Sequence, residues 1–174
     1  MILAVDVGNS NTTVGLFNGT GELLFRALLE TSRSKTRDQC AIELLGVFQL
    51  YGADACTVDG AILSSVVPPL TTIFTDAIAR LTGIPPMVVG PGIRTGLNIK
   101  AEIHNQLGSD IVASSVAAIA KYPSPIVMVD MGTATSLSLI VGSVYEGCII
   151  MPGLALALDA LSERAAALPP ISIE

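Results

Sequence analysis

Two stretches of this chain repeat one pattern. ILAVDVGNSNTTVGLF begins at Ile2, and IVMVDMGTATSLSLI begins at Ile126. Each is a β-rich apolar run, broken by a polar bend and then resumed. Asp6-x-Gly8-Asn9-x-Asn11 aligns with Asp130-x-Gly132-Thr133-x-Thr135. A tight hairpin is served by a pair such as Asn-Gly and needs no carboxylate. These bends therefore carry more polar chemistry than turning requires. A unit that sets a carboxylate at the same strand end twice points to a duplicated α/β fold, two β-β-β-α lobes with a cleft between them.

The pattern around each bend extends that reading. Residues 2–6, 12–17 and 23–29 read as three antiparallel strands, with a turn at 18–21. Thr36-Arg37-Asp38 opens a helix to about Tyr51, with Ile42, Leu45 and Phe48 at helical spacing. A short buried strand at 60–64, a helix at 70–81 started by Pro68-Pro69 and ended by Gly83, and a strand at 87–89 complete the first lobe. Residues 90–100 are a Gly-rich connector, and 103–121 read as a helix with Gly108 early in it. Strands at 126–130, 135–140 and 144–150 then repeat the opening, before Pro152-Gly153 and a helix over 154–167. The division falls into lobes 1–100 and 101–174. The second lobe lacks the β-α-β that follows the helix of the first, so it reads as incomplete: a fragment, a shortened form, or a lobe that borrows structure from a partner.

Composition decides which solvents and partners fit. The chain is 51% hydrophobic with mean hydropathy +0.66, yet only 4% aromatic, so its core is built mostly from Val, Ile, Leu and Ala. The longest apolar runs, 111–120 and 148–158, stop at Lys121 and Asp159 and are too short to span a bilayer, so no membrane partner is expected. Met1-Ile2-Leu3 leads straight into a strand with no basic segment before it, so no secretory signal is expected. Cys40, Cys56 and Cys148 are odd in number and lack CxxC spacing. They read as reduced, buried thiols in a cytoplasmic protein without a zinc site. The formal charge is −6, and the only basic cluster, Arg33, Lys35 and Arg37, reads as the solvated start of a helix. That argues against a nucleic-acid surface.

The bends could do two things. As ordinary turns, their Asp and Asn side chains would make local Asx hydrogen bonds. As a functional pair, their glycines would let backbone N–H groups close on an anion, with Asn and Thr adding donors. A carboxylate repels phosphate, so its use there is to hold a cation or a water on one. The matched pair favours a nucleotide phosphate clamp.

The paired bends resemble the phosphate loops of the actin-like ATPase and sugar kinase superfamily, whose lobes are ribonuclease H-like. More specifically, DVGNSNTTVGLF, ILSSVVPPLT, VVGPGIRTGLNI, GSD, VDMGTATSLSLI and PGLALALDALSERAAALP occur here in the order and spacing of type III pantothenate kinases. The resemblance runs from Ile2 to Pro169. It implies ATP-dependent phosphorylation of pantothenate, the first step of coenzyme A synthesis, with Mg2+ and a monovalent cation (K+ or NH4+), in a homodimer. It also implies roles. Asp6, Val7, Gly8, Asn9, Ser10, Asn11, Thr12 and Thr13 would form the ATP phosphate loop, with Asp6 near the divalent metal through water. Thr133 would donate to a phosphate, and Asp130 would help hold the monovalent cation. Gly108, Ser109, Asp110 and Ile111 occupy the substrate motif, usually Gly-Ala-Asp-Arg, with Asp110 as general base for the pantothenate hydroxyl. Read by itself, Asp110 would merely complement a helix dipole.

Three departures fall on the acceptor side. Ile111 stands where the family has Arg, Ala101 stands where it usually has Tyr, and Gly147-Cys148 replaces Gly-Gly. His104, the single histidine, reads as a loop residue. Two further readings therefore stay open. One is a catalytically weak or inactive nucleotide-binding member with a regulatory role, and the other is a kinase for another small hydroxyl substrate.

Overall fold

The computed structural model describes residues 1–90, 93–99 and 107–164. The chain separates into two compact units. The first holds Met1–Ile93 with Gly108–Ala113, and the second holds Arg94–Leu107 with Ser114–Glu174.

The first unit is built on a five-stranded sheet. β1 (Ile2–Val7), β2 (Asn11–Phe17) and β3 (Leu23–Glu30) form an antiparallel meander, while β4 (Gly60–Ser65) lies parallel to β1 and β5 (Met87–Val88) parallel to β4. The order β3-β2-β1-β4-β5 makes the N-terminal strand the centre of the sheet. Alternation along the strands decides the faces. Leu3, Val5 and Val7, with Val14, Leu16, Phe25 and Leu63, point into one core. That core takes Cys40, Leu44, Val47 and Phe48 from α1 (Arg37–Leu50) and Leu70, Phe74, Ala77 and Ile78 from α2 (Pro68–Thr82).

The helix ends follow their sequence signals. Thr36 caps α1 in a reciprocal capping box with Gln39. Pro68 and Pro69 open α2, and Gly83 closes it at φ 76°, a left-handed conformation that favours glycine. One expectation shifts. Ile42 and Leu45, at helical spacing with Phe48, are exposed, and the buried stripe is Cys40, Leu44, Val47 and Phe48. The helix is apolar on more than one side, so spacing alone left two candidate faces.

The second unit repeats the meander with β7 (Ile126–Met131), β8 (Ala134–Val141) and β9 (Val144–Pro152). β6 (Asn98–Ile99) adds parallel to β9, inside the stretch read as a connector. Among its described residues the buried ones are few: Ile126, Ser136, Ser138, Ile140, Tyr145 and Gly153, with Ser115 and Ala118 of α3 (Ser109–Lys121). The Ser138 and Tyr145 hydroxyls satisfy one another at 2.9 Å. Among the described residues β7 has β8 as its only neighbour, whereas β1 is paired on both sides. Val127, Val129, Met131 and Ile149 are exposed there.

One helix limit differs from expectation. α3 starts at Ser109, after the non-helical Leu107 and Gly108; residues 103–106 lie outside the described residues. α4 (Leu154–Arg164) is observed to Arg164, and 165–167 lie outside the described residues. No described helix is long and apolar enough to cross a membrane.

Candidate functional site

Sheet register lines up the first group of side chains. Asp6 pairs with Thr13 on β2 and with Ser64 on β4. Directly opposed residues share a face, so Thr13, Asp6 and Ser64 form one row across three strands, opposite the helix-covered core. Asp6 is exposed at the end of β1, and Ser64 is buried.

What buries Ser64 is the start of α3. The Ser109 hydroxyl lies 3.2 Å from the Ser64 hydroxyl, accepts from the Ser65 amide at 3.0 Å, and is 3.0 Å from the Ser65 carbonyl oxygen, to which it can donate. This staples the first turn of α3 to the end of β4. Asp110 follows directly, its Oδ1 accepting from the Ile111 amide at 2.8 Å. Gly108 makes that rotamer possible, because a Cβ there would sit 2.3 Å from Asp110 Oδ1. Its carbonyl also accepts the first helical bond, from Val112 at 3.2 Å. Register and staple thus bring Asp6, Ser64, Ser109 and Asp110 together within one unit. The sequence reading missed Ser64 and Ser65; the SSVVPP run held them, but nothing local marked them as partners of α3.

The bend after β1 is closed by its own backbone. The Gly8 amide donates to the Asn11 carbonyl at 3.0 Å, and a Cβ on Gly8 would lie 2.9 Å from that oxygen. Asn9, Ser10 and Asn11 are exposed around this turn, and Gly8 is partly so. Val7 is in the core, its carbonyl accepting from the Val66 amide at 3.0 Å. Thr12 is also turned inward. It is 1% exposed and its hydroxyl lies 2.8 Å from that of Thr31, so it supports the bend from beneath. Thr13 is half-buried in the Asp6 row.

The second bend is tighter. Gly132 donates to Ala134 at 3.0 Å, and the pairings run Met131 with Thr135 and Asp130 with Ser136. In the first bend Val7 pairs with Thr12 and Asp6 with Thr13. The second loop is thus one residue shorter, and Thr135 corresponds to Thr12, where the sequence alignment set it against Asn11. Asp130 and Thr133 are exposed at this bend in the second unit. Gly153 backs it, donating to the Thr133 carbonyl at 3.0 Å.

The basic cluster resolves into three different settings. Lys35 pairs with Glu43 at 2.9 Å, and Arg37 lies 3.7 Å from Asp38, which Arg80 reaches at 2.8 Å. Arg33 reaches the first bend, its Nη2 3.4 Å from Asn9 Oδ1. Ala101 and His104 lie outside the described residues. No group of three or more His, Cys, Asp or Glu side chains gathers among the described residues. An exposed carboxylate such as Asp6 suits Mg2+, which keeps several waters and is bound through one or two carboxylates plus phosphates.

Comparison with known proteins places this arrangement. Two solved structures share the fold: a Ppx/GppA phosphatase from Aquifex aeolicus (16% identity, TM-score 0.52, 98% of this chain and 57% of that one) and the ethanolamine utilization protein EutJ from Carboxydothermus hydrogenoformans (13% identity, TM-score 0.51, 97% and 57%). The duplicated lobes are those of the actin-like ATPase and sugar kinase fold. A type III pantothenate kinase of Listeria monocytogenes (serotype 4a, strain HCC23) is 40% identical over 174 residues, covering 99% of this chain. One from Geobacillus sp. (strain WCH70) is 41% identical over the same length. This chain spans 67% of the length of both. The sequence profile described as type III pantothenate kinase matches residues 2–174. Both Asp-x-Gly bends and the Gly-Ser-Asp turn lie within that match, and the chain belongs to the type III pantothenate kinase family.

Proposed function

We propose that the protein transfers the terminal phosphoryl group of ATP to the hydroxyl of pantothenate. The observation that supports this best is the Ser109 staple, which fixes the Asp110 turn to the strand paired with Asp6. Phosphoryl transfer needs little covalent chemistry from a protein; it needs positioning and charge stabilisation. Asn9, Ser10, Asn11 and backbone amides of the first bend bind and orient the phosphates. Asp6 would hold Mg2+ through water on the phosphate side, and the ion, when bound, would neutralise the charge that develops there. Asp110 accepts the acceptor hydroxyl proton at its free carboxylate oxygen as the new O–P bond forms. Thr133 donates to a phosphate, and Asp130 helps hold a monovalent cation, K+ or NH4+. Gly108, Ser109 and Ile111 shape the acceptor side. A homodimer working in the cytoplasm completes the reading.

Ile111 favours a second reading, a related small alcohol as acceptor. A guanidinium pairs bidentately with a carboxylate and an isoleucine does not. One experiment addresses both. Phosphotransfer is measured with ATP, Mg2+ and K+ on pantothenate and a panel of similar alcohols, for the unsubstituted protein, Asp110→Asn and Ile111→Arg. Asp110→Asn is expected to lower turnover about 10²–10⁴-fold with ATP affinity unchanged. Preference for another alcohol, moved toward pantothenate by Ile111→Arg, selects the second reading. Turnover unaffected by Asp110→Asn removes that residue as the base.

A further inference from the structure

We propose that Arg33 is a phosphate-binding residue of the first bend, the guanidinium that meets the anionic oxygens of a bound nucleoside triphosphate. The inference rests on reading that bend as the ATP loop. Three observations lead to it.

The first is placement. After β3 ends at Glu30, the chain is tied to the bend twice: the Thr31 amide donates to the Ser10 carbonyl at 3.0 Å, and the Thr31 and Thr12 hydroxyls meet at 2.8 Å. Arg33 lies two residues beyond this tie and reaches back to Asn9. The second is charge. Lys35 is spent on Glu43, and Arg37 faces the Asp38 that Arg80 also binds, whereas Arg33 makes no ion pair among the described residues. The third is strength. Its one side-chain hydrogen bond among the described residues, to a neutral carboxamide, is long at 3.4 Å. A guanidinium loses little by leaving such a partner and gains a charge-assisted, two-pronged interaction on phosphate. On a chain of net charge −6 the bend also needs a local cation to hold a polyanion.

In this arrangement Arg33 swings from Asn9 Oδ1 to a phosphate oxygen, and Asn9 turns its amide nitrogen to the same ligand. No bond is made or broken covalently. The contact serves nucleotides with a charged phosphate tail and is indifferent to a bare nucleoside.

The test is calorimetric binding of Mg-ATP and of adenosine to the unsubstituted protein and to Arg33→Ala, Arg33→Lys, Arg37→Ala and Asp6→Asn. Arg33→Ala is expected to weaken Mg-ATP by about ten- to hundredfold, the range for a hydrogen bond to a charged group. Adenosine affinity should stay unchanged, Arg33→Lys should recover part of the loss, and Arg37→Ala should bind like the unsubstituted protein. Equal Mg-ATP affinity in Arg33→Ala overturns the proposal. So does a parallel loss for adenosine, which would make Arg33 a support of the loop. If Asp6→Asn is also without effect while Mg-ATP still binds, or if Mg-ATP does not bind at all, the reading of the bend itself has failed, and Arg33 falls with it. Circular dichroism and a thermal melt check that the exposed Arg33 has been changed without loss of fold.

Discussion

Gly153 and Gly108 each exclude a side chain, and the reasons differ. A Cβ on Gly153 would sit 2.1 Å from the Gly132 carbonyl oxygen and 2.6 Å from that of Thr133. Both obstacles are backbone, so Gly153→Ala must push the bend itself. Overpacking of this kind costs about 1–3 kcal/mol. Denaturant unfolding should read that loss, and nucleotide affinity should drop with it if Thr133 contacts phosphate. At Gly108 the obstacle is the end of the Asp110 side chain, at 2.3 Å. A carboxylate can rotate away, so Gly108→Ala should melt near the unsubstituted temperature yet lose turnover, because Asp110 is displaced. Equal stability losses in the two variants would show that this distinction between a rigid and a yielding neighbour is wrong.

At the scale of elements, the capping box offers the simplest check on why α1 begins where it does. Thr36 accepts from the Gln39 amide, and the Gln39 side chain accepts from the Thr36 amide at 2.8 Å. Thr36→Ala should lower stability by about 0.5–2 kcal/mol, read from the urea midpoint at unchanged slope. The elements were largely legible in the sequence for local reasons of this sort. The Thr36 cap, the Pro68-Pro69 opening, the Gly83 stop and period-two alternation in β1 and β2 are all written within a few residues. What escaped had non-local causes. β6 is two residues long and exists because β9, far along the chain, offers it an edge. The buried stripe of α1 depends on which side α2 and the sheet occupy, which Ile42 and Leu45 could not reveal. The site divides the same way. The two bends were visible as a repeat, whereas their unequal length appears only in the pairing register. Arg33 looked like one of three equivalent cations until Glu43 and Asp38 were seen to occupy the other two.

The molecule as a whole holds one thiol as a reporter of its integrity. Of the three thiols expected to be buried, Cys40 is fully so, in the first core, whereas Cys56 and Cys148 are exposed, because the apolar faces that would cover them do not reach their positions at a short turn and on β9. Burial pushes the Cys40 thiol above its ordinary range, and Glu43 adds to this against the opposing pull of Lys35. The thiolate is the reactive form, so Cys40 should resist alkylation until the first unit opens. Cys56 and Cys148 should label at once, and the slow third equivalent should quicken with denaturant as that unit's stability falls. Three equivalents at one rate would mean a core far looser than described. The central position of β1 has a further consequence, in time. On the ribosome β1, β2 and β3 can pair as soon as they emerge, but the other edge of β1 is reserved for β4, which starts at Gly60. At synthesis rates of roughly 5–20 residues per second, that edge stands open for about 2–7 s after β3 is made. Every newly made copy therefore passes through a state in which its central, largely apolar strand offers an unfilled row of backbone donors and acceptors to any neighbour, so crowded polysomes, more than the finished protein, are where this sheet is most exposed to mispairing.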